Sequence, residues 1–138
     1  MASHSAPPPH PELHNPSLIP ISASFHHLTT AELSALSSLS SAAKSSAYCP
    51  YSKFRVGCAV LTSDGRFISG ANVENASYNV GTCAERVALG RAVTSVLEAG
   101  GEKAREFEGG VRRGMFKALA VCTDTSPPAS PCGMCRQL

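Results

Sequence analysis

The chain has 138 residues, 43% of them hydrophobic and 16% charged, with a formal net charge of +2. That length fits one domain, and the apolar fraction supports a core, which excludes wholesale disorder. No apolar run approaches the roughly 20 residues of a membrane span, and so small a charge gives no ground for nucleic-acid or membrane binding.

Residues 1–27 hold six of the ten prolines, all five histidines and one charged residue, Glu12. Such a segment has little to bury and reads as a disordered Pro/His-rich tail, with the folded domain over 28–138. It lacks the charged-then-apolar pattern of a secretory leader. Six cysteines without a leader point to a reducing compartment, so a cytoplasmic location is expected. With every histidine in the tail, a metal site in the domain must use Cys, Asp or Glu.

Thr29 and Glu32 have capping-box spacing, with Leu28 and Leu33 placed as a staple. Leu33, Leu36, Leu39 and Ala43 continue a helical stripe that must end before Cys49-Pro50. Phe54–Thr62 and Phe67–Val73 read as a hairpin around Asp64-Gly65. A helix is expected from about Cys83 to Ala99, with Thr82 as cap and Gly100-Gly101 as its end. The glycine-rich 100–114 stretch reads as an exposed loop. Phe116–Thr123 is a nearly unbroken apolar run, the pattern of a strand covered on both faces. Ser130 and Pro131 then mark the start of another helix. The order α-β-β-α-β-α implies a three-layer α/β domain, its second and third strands parallel because a helix crosses between them.

Three cysteines sit at expected helix starts: Cys83, then Cys132 and Cys135. Three thiolates around one Zn²⁺ leave a fourth tetrahedral position open, as catalytic zinc requires. The resulting charge of −1 suits two helix N-termini, and Arg86 can donate to a thiolate. Cys132-Gly133-Met134-Cys135 alone also fits a redox dithiol. Glu85 fits either a capping box with Thr82 or a carboxylate beside the metal's open position. Cys58 and Cys122 lie in apolar runs as small core residues, and Cys49 has no chelating partner nearby.

Cys83-Ala84-Glu85-Arg86 with Pro131-Cys132-Gly133-Met134-Cys135 resembles the zinc nucleoside-deaminase motif. Tyr48-Cys49-Pro50-Tyr51-Ser52, Phe54-Arg55-Val56-Gly57 and Asn72-Val73-Glu74-Asn75-Ala76-Ser77-Tyr78 complete a similarity to the cytidine deaminase family, running from about Thr29 to Leu138. The resemblance implies a three-layer α-β-α sandwich with a mixed central sheet, a homotetramer, and one zinc per subunit on Cys83, Cys132 and Cys135. It implies deamination of cytidine and deoxycytidine in pyrimidine salvage, with zinc-activated water and Glu85 as proton carrier. It further implies ribose contacts from Asn72 and Glu74, Phe54 along the nucleoside, and backbone contacts from Ala84 and Ser130. Tyr78 would lie near a subunit boundary.

Family members continue beyond the Cys132–Cys135 pair with further strands and a helix, so a C-terminally incomplete domain is expected. The competing readings are a truncated, inactive zinc-binding paralogue, a deaminase of a related aminopyrimidine nucleoside such as an antibiotic, and a redox protein. The expected partner is a small nucleoside, with no nucleic acid and no membrane.

Overall fold

A computed structural model describes residues 17–99, 114–125 and 129–138. Helix α1 spans Ile19–Phe25, α2 Thr30–Ala43 and α3 Ala84–Ala99; strands are β1 Val56–Thr62, β2 Phe67–Ala71 and β3 Phe116–Thr123. No described helix is long and apolar enough to cross a membrane.

α1 lies inside the segment read above as a tail, whose residues 1–16 fall outside the described residues. A proline occupies its first turn, where a missing N–H costs nothing, and Ala23 is buried where α1 meets α2. Prolines and histidines are frequent in that segment, yet Ala23 is buried in it, while its larger apolar side chains Ile21 and Phe25 stay exposed. α2 begins as its spacing predicts. The Glu32 amide donates to Thr29 Oγ1 at 3.1 Å and the Thr29 amide donates to Glu32 Oε2 at 2.8 Å. Lys117 Nζ on β3 reaches Glu32 Oε1 at 2.6 Å, tying the start of α2 to the sheet.

The sheet order is β2-β1-β3, and β1 pairs antiparallel with both neighbours. β2 and β3 therefore run the same way, as expected, but flank β1 and do not pair with each other. The mixed sheet is not found among the described strands: the one parallel pairing is an isolated bridge, Tyr48 with Val73. Gly65 takes a positive φ of 87° in the β1–β2 turn, which glycine adopts without strain.

β1 is buried on both faces. Cys58 and Val60 pack against Ala84, Ala88 and Ala92 of α3. Ala59 and Leu61 pack against Leu36 of α2. That alternation makes the three-layer α-β-α sandwich. Two glycines let the layers approach: a Cβ on Gly57 would lie 2.1 Å from the Ser40 carbonyl, and one on Gly70 2.5 Å from the Ala88 amide nitrogen. The second contact presses the start of α3 onto β2.

One expected cap and one expected helix are corrected, while α3 itself spans Ala84–Ala99 as expected. Thr82 does not cap α3, because its backbone is used in a bridge to Val73, with bonds of 2.8 and 2.9 Å. Cys83 supplies the first helical carbonyl instead, accepting from the Val87 amide at 3.1 Å. The helix expected from Pro131 is only a turn, with a short 3₁₀ segment at Cys135–Gln137. Ser130 Oγ accepts from the Arg136 guanidinium rather than from a backbone amide, and Gly133 weakens the first turn.

Candidate metal centre and catalytic cleft

The bridge between Val73 and Thr82 delivers the chain to the first turn of α3, so the Cys83 thiol stands at a helix N-terminus. The turn after Pro131 brings Cys132 and Cys135 to the same point. The three Sγ atoms lie within 4.8 Å of one another, the only such cluster among the described residues. Cys83 and Cys132 sulfurs are 3.8 Å apart, and those of Cys132 and Cys135 3.4 Å. Thiolates on a tetrahedral zinc at about 2.3 Å stand about 3.8 Å from each other. The donor set therefore fits zinc in both chemistry and spacing, and a third thiol exceeds what a redox pair needs.

The thiols differ in environment. Burial pushes Cys83 and Cys135 above the ordinary thiol range. The amide of Cys135 holds the exposed Cys132 below it. Ligation needs thiolates, so binding a metal expels protons. The expected pair of helix dipoles reduces to one, from α3, with backbone N–H groups of the Cys132–Cys135 turn in place of the other. The Arg86 side chain has no hydrogen-bond or ion-pair partner among the described residues. Cys58 is fully buried and its thiol is pushed up to about 12 by burial, as an inert core residue should be.

Beside the sulfurs opens a cleft of about 320 Å³, within the size range of small-molecule sites. Glu85 lines it at 6% exposure. With the Thr82 cap absent, its carboxylate has no hydrogen-bond partner among the described residues. It is thus available to chemistry in the cleft.

The opposite wall comes from the Tyr48–Val56 loop and the end of β2. Asn72 Oδ1 accepts from the Val56 amide at 2.9 Å, and its Nδ2 donates to the Phe54 carbonyl at 2.9 Å. Glu74 Oε2 accepts from the amides of Tyr51 and Ser52 at 3.0 and 3.2 Å, and Oε1 from the Ser52 hydroxyl. The Ser52 hydroxyl bond, with these amides, holds the Glu74 carboxyl below the usual carboxylate range. Phe54, Tyr78 and Ser130 also line the cleft, Tyr78 at 82% exposure. Ala84 does not line it; its side chain is buried against the sheet.

The sequence reading assigned no role to Ser52, to Arg136, or to Val121 and Thr123 of β3, which close the cleft floor. Arg136 donates to the Pro131 carbonyl at 2.8 Å and to Ser130 Oγ at 3.2 Å, bracing the turn that carries two thiols. Only position relative to a motif could have flagged it.

Comparison with known proteins gives a consistent result. The family described as "Cytidine and deoxycytidylate deaminase zinc-binding region" matches residues 30–138. A cytidine deaminase of Sporosarcina psychrophila is 47% identical over 96 residues, covering 70% of this chain and 59% of that protein. One from Halalkalibacterium halodurans is also 47% identical, covering 70% and 61%. The chain thus spans about three fifths of the curated relatives it matches. Among solved structures, the Burkholderia pseudomallei cytidine deaminase is 45% identical with a TM-score of 0.59, covering 75% of this chain and 71% of that one. The Mycobacterium tuberculosis cytidine deaminase is 36% identical with a TM-score of 0.58, covering 75% and 72%.

Proposed function

The chain belongs to the cytidine and deoxycytidylate deaminase family, and from that premise we propose that it hydrolyses cytidine and deoxycytidine to uridine and deoxyuridine with release of ammonia. The observation that carries the reading is one juxtaposition: three thiols spaced for zinc, with an unpartnered, nearly buried carboxylate in the adjoining cleft.

Cys83, Cys132 and Cys135 would hold one zinc per subunit. When bound, zinc supplies a Lewis acid that makes hydroxide available from water near neutral pH. Glu85 takes a proton from the attacking water and delivers it to pyrimidine N3 as the oxygen bonds to C4. It then carries the proton of the new C4 hydroxyl to the amino nitrogen, and ammonia leaves as the C4–N bond breaks.

Asn72 and Glu74 would contact the ribose, Phe54 would lie along the nucleoside, and backbone groups of Ala84 and Ser130 would meet the base. Asn72 keeps one N–H and one lone pair beyond its loop bonds, enough for such a contact. A homotetramer, with Tyr78 near a subunit boundary and Arg86 donating to a thiolate once metal binds, extends the same reading. Six free cysteines suit a cytoplasmic location.

The test is ammonia release from cytidine, deoxycytidine, cytosine and dCMP by purified, zinc-loaded protein, with Glu85→Gln alongside. Both nucleosides should be turned over far better than cytosine. Glu85→Gln should keep its zinc and lose at least about 100-fold in kcat, the scale of general acid–base catalysis. Normal turnover by that variant, or equal rates on nucleoside and free base, would refute the reading.

A further inference from the structure

Ser52 stands between Glu74, which the proposed function places on the ribose, and Phe54, which it places along the nucleoside. Its hydroxyl donates to Glu74 Oε1 and accepts from the Phe54 amide at 3.0 Å. Its own amide, with that of Tyr51, donates to Glu74 Oε2. Lys53, between Ser52 and Phe54, has a positive φ of 59°, a conformation uncommon outside glycine. That kink folds the chain back so that one hydroxyl can reach both partners. Oε2 is saturated by two amides, whereas Oε1 keeps one lone-pair direction beyond the serine bond.

We propose that Ser52 is a positioning residue for nucleoside binding, fixing the Glu74 carboxylate and the Phe54 segment in one arrangement before the sugar arrives. The inference rests on the deaminase reading, since it takes the sugar as the group that Glu74 receives. Without the serine hydroxyl, Oε1 is free to rotate, the Phe54 amide loses its acceptor, and substrate binding must supply the ordering. Ser52 touches neither a thiol nor Glu85, so the chemical step is left alone.

The test is steady-state kinetics of full-length, zinc-loaded wild type, Ser52→Ala, Ser52→Thr, Glu74→Ala and the Ser52→Ala/Glu74→Ala double variant, on cytidine and on cytosine. Losing a hydrogen bond to a charged group should raise the cytidine KM of Ser52→Ala about tenfold or more, with kcat within about twofold, the pattern of lost uniform binding. Ser52→Thr should restore KM. The alanine change should add little in the Glu74→Ala background, and cytosine turnover should not respond to it. Zinc content by metal analysis should match wild type in every variant. An unchanged cytidine KM in Ser52→Ala, or equal losses on cytidine and cytosine, overturns the positioning role while leaving the deaminase reading intact. A zinc-loaded wild type that leaves cytidine untouched overturns that reading, and this inference with it.

Discussion

Gly70→Ala adds one methyl where α3 rests on β2. The new Cβ would lie 2.5 Å from the Ala88 amide nitrogen and 2.8 Å from the Ala84 carbonyl oxygen, both backbone atoms that cannot swing aside. Restoring ordinary contact requires α3 to retreat by close to 1 Å over its first two turns. Those turns also bury Ala84 and Ala88 and carry Cys83 and Glu85 at their start. Overpacking of this kind costs about 1–3 kcal/mol. A matched control lies on the same helix. Gly90 has open space around its missing Cβ, so Gly90→Ala should stabilise by about 0.5–1 kcal/mol through helix propensity. Denaturant unfolding of the two variants should therefore give shifts of opposite sign. Competitive zinc titration should show weaker binding for Gly70→Ala only, because a displaced Cys83 breaks the sulfur spacing. Equal stability in both variants, with undiminished zinc affinity in Gly70→Ala, would refute the claim that this contact sets the metal site.

Cys135→Ala should abolish stoichiometric zinc under reducing conditions, whereas Cys49→Ala, outside the cluster, should retain it; metal analysis decides. Lys117 holds the Glu32 carboxyl down from the ordinary 4.5 to about 2. A carboxyl depressed on folding stabilises above its unfolded pKa, and that contribution fades as pH falls from about 4.5 toward 2. The gap in unfolding midpoint between wild type and Glu32→Gln should accordingly narrow over that window, and a gap independent of pH would contradict it.

Elements with a local cause were legible in the sequence. The Thr29–Glu32 box and the Asp64-Gly65 turn depend on near neighbours and form where their patterns indicate; β3 forms over its apolar run too, but at the sheet edge with only Thr123 buried rather than covered on both faces. The cysteine cluster was legible because thiols at a helix start and in a CxxC turn have few alternatives to meeting. Features decided by distant partners were not. Thr82 has the spacing of a cap, but Val73 recruits its backbone first. Ser130 resembles a cap too, yet Arg136 takes its oxygen. Arg136 and Ser52 act through bonds that no periodicity encodes. The sheet order also escapes local patterns, since β3 joins β1 only after the chain has crossed by way of α3.

Asn72 gives the sharpest division between scaffold and site. Its side chain uses opposite ends on one loop: Oδ1 takes the Val56 amide and Nδ2 gives to the Phe54 carbonyl. Asn72→Asp is nearly isosteric and keeps the first bond. It replaces the donor with a second acceptor facing the Phe54 carbonyl, so one bond is lost and two oxygens repel. Leaving such a group unsatisfied costs about 1–3 kcal/mol, and the loss should appear in denaturant unfolding of the zinc-loaded protein. Raising pH leaves it unrelieved, because the carboxylate remains ionised. Lowering pH toward the carboxyl's own titration returns a donor, so the deficit relative to wild type should shrink there. The thiol cluster is untouched, so zinc content should match wild type while the cytidine KM rises with the displaced Phe54. If Asn72→Asp unfolds at the wild-type midpoint at neutral pH, the amide is not what holds the loop, and the cleft wall owes its shape to Glu74 and Ser52 alone.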